Sequence, residues 1–191
     1  MQQAEGRYLS IAVMMTIKED AYMTAEDHGK PSAKIDGVEG VSSSFTIMGE
    51  TVTGKGDFSA TVTLETQDAP IVNNLALKRG IYFTEADVAE GRNVCVISDT
   101  DAKRLFGSDD VIGMDIDVQC YDLTKSFRIV GITTQKENGT FVSYTYEGMP
   151  VTLSVPYTAA VDFVGDTADE FTSMVVQADK KMDSQAIFEK R

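Results

Sequence analysis

Bond chemistry needs side chains that converge, and this chain carries few that could. His28 is the single histidine. It sits in the polar run Glu26-Asp27-His28-Gly29-Lys30-Pro31, away from any nucleophile signature, and reads as a solvated loop residue. Cys95 and Cys120 lie in segments that read as strands and have no CxxC or Cys/His spacing for zinc; buried thiols are the simplest reading. Asp99-Thr100-Asp101 and Ser108-Asp109-Asp110 do not follow the Asp-x-Asp-x-Asp-Gly spacing of a calcium loop, and the first suits a helix N-terminus. Gly54-Lys55-Gly56 lacks a following Ser/Thr and precedes a strand, so it is a hairpin turn and no phosphate loop. Paired carboxylates of the glycosidase kind remain open with 30 acidic residues, but no pair stands out. Tyr144, Tyr146 and Tyr157 could line a ligand groove, although strand tyrosines more often pack. The expectation is a chain with no catalytic residue, no metal ligand and no cofactor-binding residue.

The elements that would position such groups are those of a globular protein. With 191 residues and 42% apolar residues the chain can bury one good core or two small ones. Thirty acidic against 17 basic side chains leave a formal charge of −13, which repels phosphate backbones and anionic lipid headgroups. Nucleic acid is therefore not an expected partner; the charge serves solubility or attracts cationic ligands. No apolar run reaches 18 residues. Tyr8 to Ile17 is followed at once by Lys18-Glu19-Asp20 and lacks the features of a signal peptide; if the protein is displayed outside the cytoplasm, its export signal is expected outside these residues.

Periodicity divides the chain into many short elements. Tyr8 to Ile17 and Gly40 to Gly49 read as strands, and Phe58-Ser59-Ala60-Thr61-Val62-Thr63-Leu64-Glu65 alternates so that Phe58, Ala60, Val62 and Leu64 share a face. The turn at Gly54 to Asp57 makes these last two a hairpin. Short helices are expected over Thr24 to Ile35 and, with Asp68 as cap, over Ala69 to Leu75. Thr84-Glu85-Ala86-Asp87 reads as a capping box for a helix over Glu85 to Glu90 that Gly91 stops, and Ser98 or Asp99 caps a second, Thr100 to Phe106, that Gly107 stops. Asn93 to Ile97, Met114 to Val118, Phe127 to Ile132, Val151 to Pro156 and Phe171 to Ala178 read as strands. Tyr121 to Ser126 and Lys136 to Gly139 read as turns, Phe141 to Tyr146 as a loop or strand, and Thr158 to Val164, stopped by Gly165, and Ser184 to Lys190 as helices. Mixed order and short elements argue for α+β and against a doubly wound parallel sheet. The stretch from about Leu77 to Gly148 has its own strands, helices and turns, which points to two parts.

The run Leu75-Ala76-Leu77-Lys78-Arg79-Gly80-Ile81-Tyr82-Phe83-Thr84-Glu85-Ala86-Asp87 resembles the L-x-L-x-x-G-R-x-F-T-x-x-D signature of MacB-like periplasmic core domains, found in ABC-transporter permeases of the MacB/FtsX-like kind. Val94 to Ser98, Ala102 to Gly107 with Val111-Ile112-Gly113, and Phe127 to Ile132 follow in the family's order. Ile35-Asp36-Gly37-Val38-Glu39-Gly40-Val41-Ser42 upstream is similar too, and the strand ending Val155-Pro156 fits the family's return to its first part. Gly80-Ile81 departs from the family's Gly-Arg, and Met114 stands where Lys is common.

The resemblance implies an α+β fold of two subdomains: a βαβ-rich discontinuous, membrane-proximal one from 1–76 plus 149–191, and an inserted mixed β/α one from 77–148. It implies an extracytoplasmic location on the bacterial cell membrane, where a disulfide between Cys95 and Cys120 is also open. Expected partners are transmembrane helices of the same polypeptide, a second permease copy, a cytoplasmic ATPase subunit or domain acting indirectly, and a peptide, lipid or lipoprotein substrate. The domain would transmit ATP-driven motion and engage substrate or partner, without catalysis of its own. Leu77, Gly80, Phe83, Asp87, Leu105, Phe106, Gly107, Gly113, Gly131 and Pro156 are the signature positions, expected to shape a rigid body through packing and glycine turns. A secreted hydrolase with paired carboxylates and an extracellular ligand-binding or adhesion module are the alternatives.

Overall fold

The computed structural model describes residues 8–13, 38–73, 75–134, 148–164, 171 and 173–179. The strand expected from Gly40 to Gly49 extends into β2 (Val38–Thr53), which at the usual rise per residue runs about 50 Å. It turns at Gly54-Lys55 into β3 (Gly56–Glu65), as the hairpin pattern predicts, with Thr53 opposite Gly56 and Ser44 opposite Glu65. The other strands are β1 (Tyr8–Val13), β4 (Ala76–Gly80), β5 (Val94–Ser98), β6 (Asp115–Cys120), β7 (Leu123–Thr134), β8 (Val151–Pro156) and β9 (Ser173–Asp179). The helices are short: α1 (Ala69–Val72), α2 (Glu85–Glu90), α3 (Asp99–Phe106) and α4 (Val161–Val164), the last preceded by a 3-10 turn, Tyr157–Ala160.

The strands form one sheet in the order β1-β9-β2-β3-β8-β5-β7-β4, while β6 pairs with both β7 and β2. That double pairing bends β2-β3-β8-β5-β7-β6 into a closed ring. Pairs β3–β8 and β5–β7 are parallel and the other contacts of the ring antiparallel, so the fold is α+β. A ring needs one apolar face turned inward, and β6 displays the required alternation: Ile116, Val118 and Cys120 are buried, Asp115, Asp117 and Gln119 exposed. Inward residues such as Val62, Leu64, Phe127, Ile129 and Leu153 form a single buried cluster, each contributing about 2 kcal/mol by leaving water. Ala102 and Leu105 of α3 join this cluster at one end of the ring, where the Thr53 hydroxyl donates to the Leu105 carbonyl at 2.7 Å. Ala159, Ala160 and Phe163 join it beyond the end of β8.

Two short seams close the ring. β2 meets β6 only at Glu50–Gln119 and Thr51–Val118, and β5 meets β8 only at Val96–Ser154 and Ile97–Leu153. Between the seams, β7 pairs along longer ladders with β4, β5 and β6. Outside the ring, residues 38–44 of β2 pair with β9, and β9 pairs with β1 so that Tyr8 lies opposite Asp179.

Several local expectations shift. β4 was not foreseen: it is an edge strand with a bulge between Leu77 and Arg79, which breaks its alternation. α1 stops at Val72, and Asp68 does not cap it with its side chain; the Asp68 carboxylate instead accepts the Val41 N–H at 3.4 Å. The turn expected over Tyr121 to Ser126 shrinks to Tyr121-Asp122, with Cys120 opposite Leu123. The expected helices over Thr24 to Ile35 and Ser184 to Lys190, the 136–139 turn, the 141–146 segment and the Gly165 stop lie outside the described residues, as do His28, Tyr144 and Tyr146.

Candidate functional site

The signature segment is built on an unusually close backbone approach. Gly80 and Gly131 face each other across β4 and β7. A Cβ on Gly80 would stand 2.1 Å from the Val130 carbonyl oxygen, and one on Gly131 would stand 2.2 Å from that of Ile81. Between them the Ile81 N–H donates to Val130 O at 2.9 Å. Only hydrogen fits at either position, and Gly80 also has φ +71.

From this contact the chain enters the core. Phe83 is buried with Val88 and Val96 in a second small cluster, against which Tyr82 and Tyr157 pack. Thr84 caps α2: its hydroxyl accepts the Asp87 N–H, and Asp87 accepts the Thr84 N–H at 2.7 Å. Arg92 adds a bond to Asp87 at 3.0 Å. Desolvation raises the Asp87 pKa, but the Thr84 and Arg92 bonds outweigh it and hold the carboxyl below its ordinary value. Gly91 at φ 61 and Gly107 at φ 80 end α2 and α3 as predicted. Leu105 is fully buried, Phe106 half-buried against the core, and Gly113, at φ +84, donates to Ile129 O at 2.8 Å. Pro156 ends β8 opposite Glu65. Leu77 does not pack as expected: it is 47% exposed, because it sits on the edge strand.

The acidic clusters are engaged in structure. Ser98 caps α3, with the Asp101 N–H donating to its Oγ at 2.9 Å, and Asp101 takes bonds from Arg104 at 3.0 Å and the Thr152 N–H at 3.2 Å. Lys78 bridges Asp99 at 2.8 Å and Asp109 at 2.7 Å, and Arg79 reaches Asp110 at 3.2 Å. The hydrogen bond from Lys78 holds the Asp109 carboxyl below its ordinary range. No group of three or more His, Cys, Asp or Glu that could hold a metal occurs among the described residues. Cys95 and Cys120 are free and buried, and burial raises both thiol pKa values. An open cleft of about 350 Å³ is lined by Leu123, Thr124, Lys125, Asp162 and Phe163, and its one carboxylate, Asp162, is held by Lys125 at 2.8 Å.

One buried acid escaped the sequence reading. Glu65 lies almost wholly out of water at the end of β3, and burial pushes its pKa up despite hydrogen bonds with Tyr82 and Ser154. Tyr82 donates to Glu65 Oε1, and burial with the adjacent carboxylate raises the phenol in turn. No parity signal marks it, since Leu64 before it and Thr66 after it are buried as well. What touches the Glu65 carboxylate is a phenol and a hydroxyl, which is not the paired-carboxylate geometry of a glycosidase.

With this geometry in place, comparison with family models matches residues 3–190 to the MacB-like periplasmic core domain. The chain belongs to that family. The MacB-like periplasmic core domain described here resembles the periplasmic region of MacB from Actinobacillus actinomycetemcomitans, with a TM-score of 0.65 and 19% identity over 89% of this chain and 72% of that one. It also resembles the extracellular domain of the noncanonic ABC-type transporter YknZ from Gram-positive bacteria, with a TM-score of 0.68 and 19% identity over 95% and 88% of the two chains. The comparison with curated proteins gives no match. A MacB-like periplasmic core domain is the extracytoplasmic domain of an ABC-transporter permease, and that fixes the class and location of this one. No helix among its described residues is long and apolar enough to cross a membrane.

Proposed function

We propose that the domain works as a lever outside the membrane, passing ATP-driven motion of its permease to whatever substrate or partner it engages there, and doing no bond chemistry itself. The observation that carries this reading is the β1–β9 pairing with Tyr8 opposite Asp179. Antiparallel pairing puts the start of β1 and the end of β9 at the same end of the sheet, as a body tethered twice to a membrane requires. β2 starts beside that end and carries the frame to the 54–55 hairpin at the far pole. A displacement of the tethered end is thereby delivered about 50 Å away by one continuous strand. In this proposal the tethers are transmembrane helices of the same polypeptide, the permease pairs with a second copy, and a cytoplasmic ATPase supplies the stroke.

The same proposal keeps 1–76 plus 149–191 as the membrane-proximal part and 77–148 as an insertion. The two-pair seams support that division, as does the way Lys78, Arg79 and the Gly80–Gly131 contact all find their partners within 77–148. The test uses the intact permease with a spin label at Lys55→Cys, an exposed turn position. The distance between the labels of two copies should change by several Å (on the order of interface shifts in ATP-driven rearrangements) between nucleotide-free and nucleotide-trapped states. An unchanged distance in a transporter that still turns over ATP and moves substrate would remove the lever.

A further inference from the structure

We propose that the outward face of β3, β2 and β6 docks a cationic segment of another protein, one in which lysines or arginines are interleaved with apolar residues. Directly opposite residues of antiparallel strands share a face. Met48, Glu50 and Val52 alternate with the buried Ile47 and Thr51, so they point outward from the ring. Glu50 is flanked by Ser59 on β3 and Gln119 on β6, Val52 is opposite Asp57, and Asp117 stands two residues from Gln119 on the same outward set. Tyr121 adjoins them at the turn that ends β6, where the Gln119 amide donates to its carbonyl at 3.4 Å.

Two features of this face need a partner to explain them. The first is apolar exposure: Tyr121 at 78%, Val52 at 69% and Met48 at 61% are the three most exposed large hydrophobic side chains among the described residues. Tyr121 holds φ 54, the left-handed conformation that the first residue of the two-residue turn between β6 and β7 takes, and its ring is left in solvent. The second feature is uncompensated charge. Glu50, Asp57 and Asp117 make no ion pair with a described residue, whereas Asp99, Asp101, Asp109 and Asp115 each do. The neighbouring cations are turned elsewhere: Lys55 lies over Gly107 at the end of α3, and Arg128 grips Asp115 at 2.9 and 3.1 Å.

Charge selects the occupant. A net charge of −13 repels nucleic acid, anionic lipid and a second copy of the same acidic face. A strand or helix with basic and apolar residues satisfies both features together, its cations on Glu50, Asp57 and Asp117 and its apolar groups on Met48, Val52 and Tyr121. Because the face straddles the β2–β6 seam, an occupant would touch both sides of it. This inference goes beyond the lever reading and does not depend on it.

The experiment titrates the 191-residue chain into a fluorescent synthetic peptide of alternating lysine and valine, and into its glutamate–valine counterpart, following anisotropy at two salt concentrations. The lysine peptide should bind, more weakly at high salt, and the glutamate peptide should not. Glu50→Lys with Asp117→Lys should weaken binding about tenfold or more, against less than about twofold for the equally charged control Glu85→Lys with Glu90→Lys on α2. Met48→Ser with Val52→Ser keeps the charge and should weaken binding about threefold or more; this pair decides the matter if melting shows the lysine variant misfolded. Equal weakening by the α2 control, no binding of the lysine peptide, or self-association of the chain that Val52→Ser abolishes would each overturn the proposal.

Discussion

Alanine at Gly131, Gly80 and Gly113 separates two reasons for needing glycine. Gly113 has φ +84 and open space where a Cβ would stand, so Gly113→Ala meets backbone strain alone, about 1 kcal/mol. Gly131 is not at positive φ, but its Cβ would lie 2.2 Å from the Ile81 carbonyl oxygen. β4 and β7 would have to part by about 1 Å, weakening the Ile81 to Val130 hydrogen bond, for a cost of about 2 kcal/mol. Gly80 combines φ +71 with a Cβ 2.1 Å from Val130 O, so the two costs add to about 3 kcal/mol. Urea unfolding of the three variants, read as midpoints at unchanged m, gives the ranking directly. In a protein of this size the middle variant should melt about 4 to 8 °C below the parent. Gly131→Ala as stable as the parent, or Gly113→Ala costing more than Gly80→Ala, would refute the argument that backbone approach at β4–β7 is what the signature glycine protects.

Two further outcomes follow from single residues. Gly107→Val should cost about 2 kcal/mol in thermal or urea unfolding, because a β-branched side chain is forced to φ 80 while its nearest neighbour, the Lys55 side chain, can move aside. Glu65→Gln should raise stability by about 1 kcal/mol at pH 7. The folded state raises the Glu65 pKa above its ordinary value of 4.5, so the parent binds this proton more tightly when folded and loses stability as pH rises from that value through the folded one. The variant lacks this loss, so the stability difference should vanish below about pH 4; a difference that stays constant from pH 3 to 8 would show that folding leaves the Glu65 pKa unshifted, against the raised value argued here.

Much of this architecture was legible because local rules and tertiary demands agree. The Thr84–Asp87 capping box, the Gly91 and Gly107 stops, and the hairpin around Gly54 are set by a few adjacent residues, and the fold keeps all of them. The ring was not legible. Its closure rests on β6 reaching β2 through Glu50–Gln119 and Thr51–Val118, a contact that spans most of the hairpin and the insertion and leaves no mark in periodicity. β4 was hidden by its bulge, and the exposure of Leu77 by the edge position that the bulge serves. Glu65 was hidden because its neighbours Tyr82 and Ser154 come from distant segments, so nothing beside it in the chain announces a buried carboxylate. The outward acids of β6 alternate with apolar residues in the sequence, but only the register across the seam puts Glu50, Asp117 and Tyr121 on one surface.

The lever depends on the frame from the tethered end to the far hairpin staying stiff while the whole is displaced. In the intact permease, spin labels at Lys55→Cys and at Ile71→Cys, exposed on α1 beside the Gly40 end of β2, report the length of that frame within one copy. The account predicts that this distance stays the same in nucleotide-free and nucleotide-trapped states while the separation between copies changes. A distance within one copy that shifts with nucleotide as much as the separation between copies would contradict it, and would place the motion inside the domain.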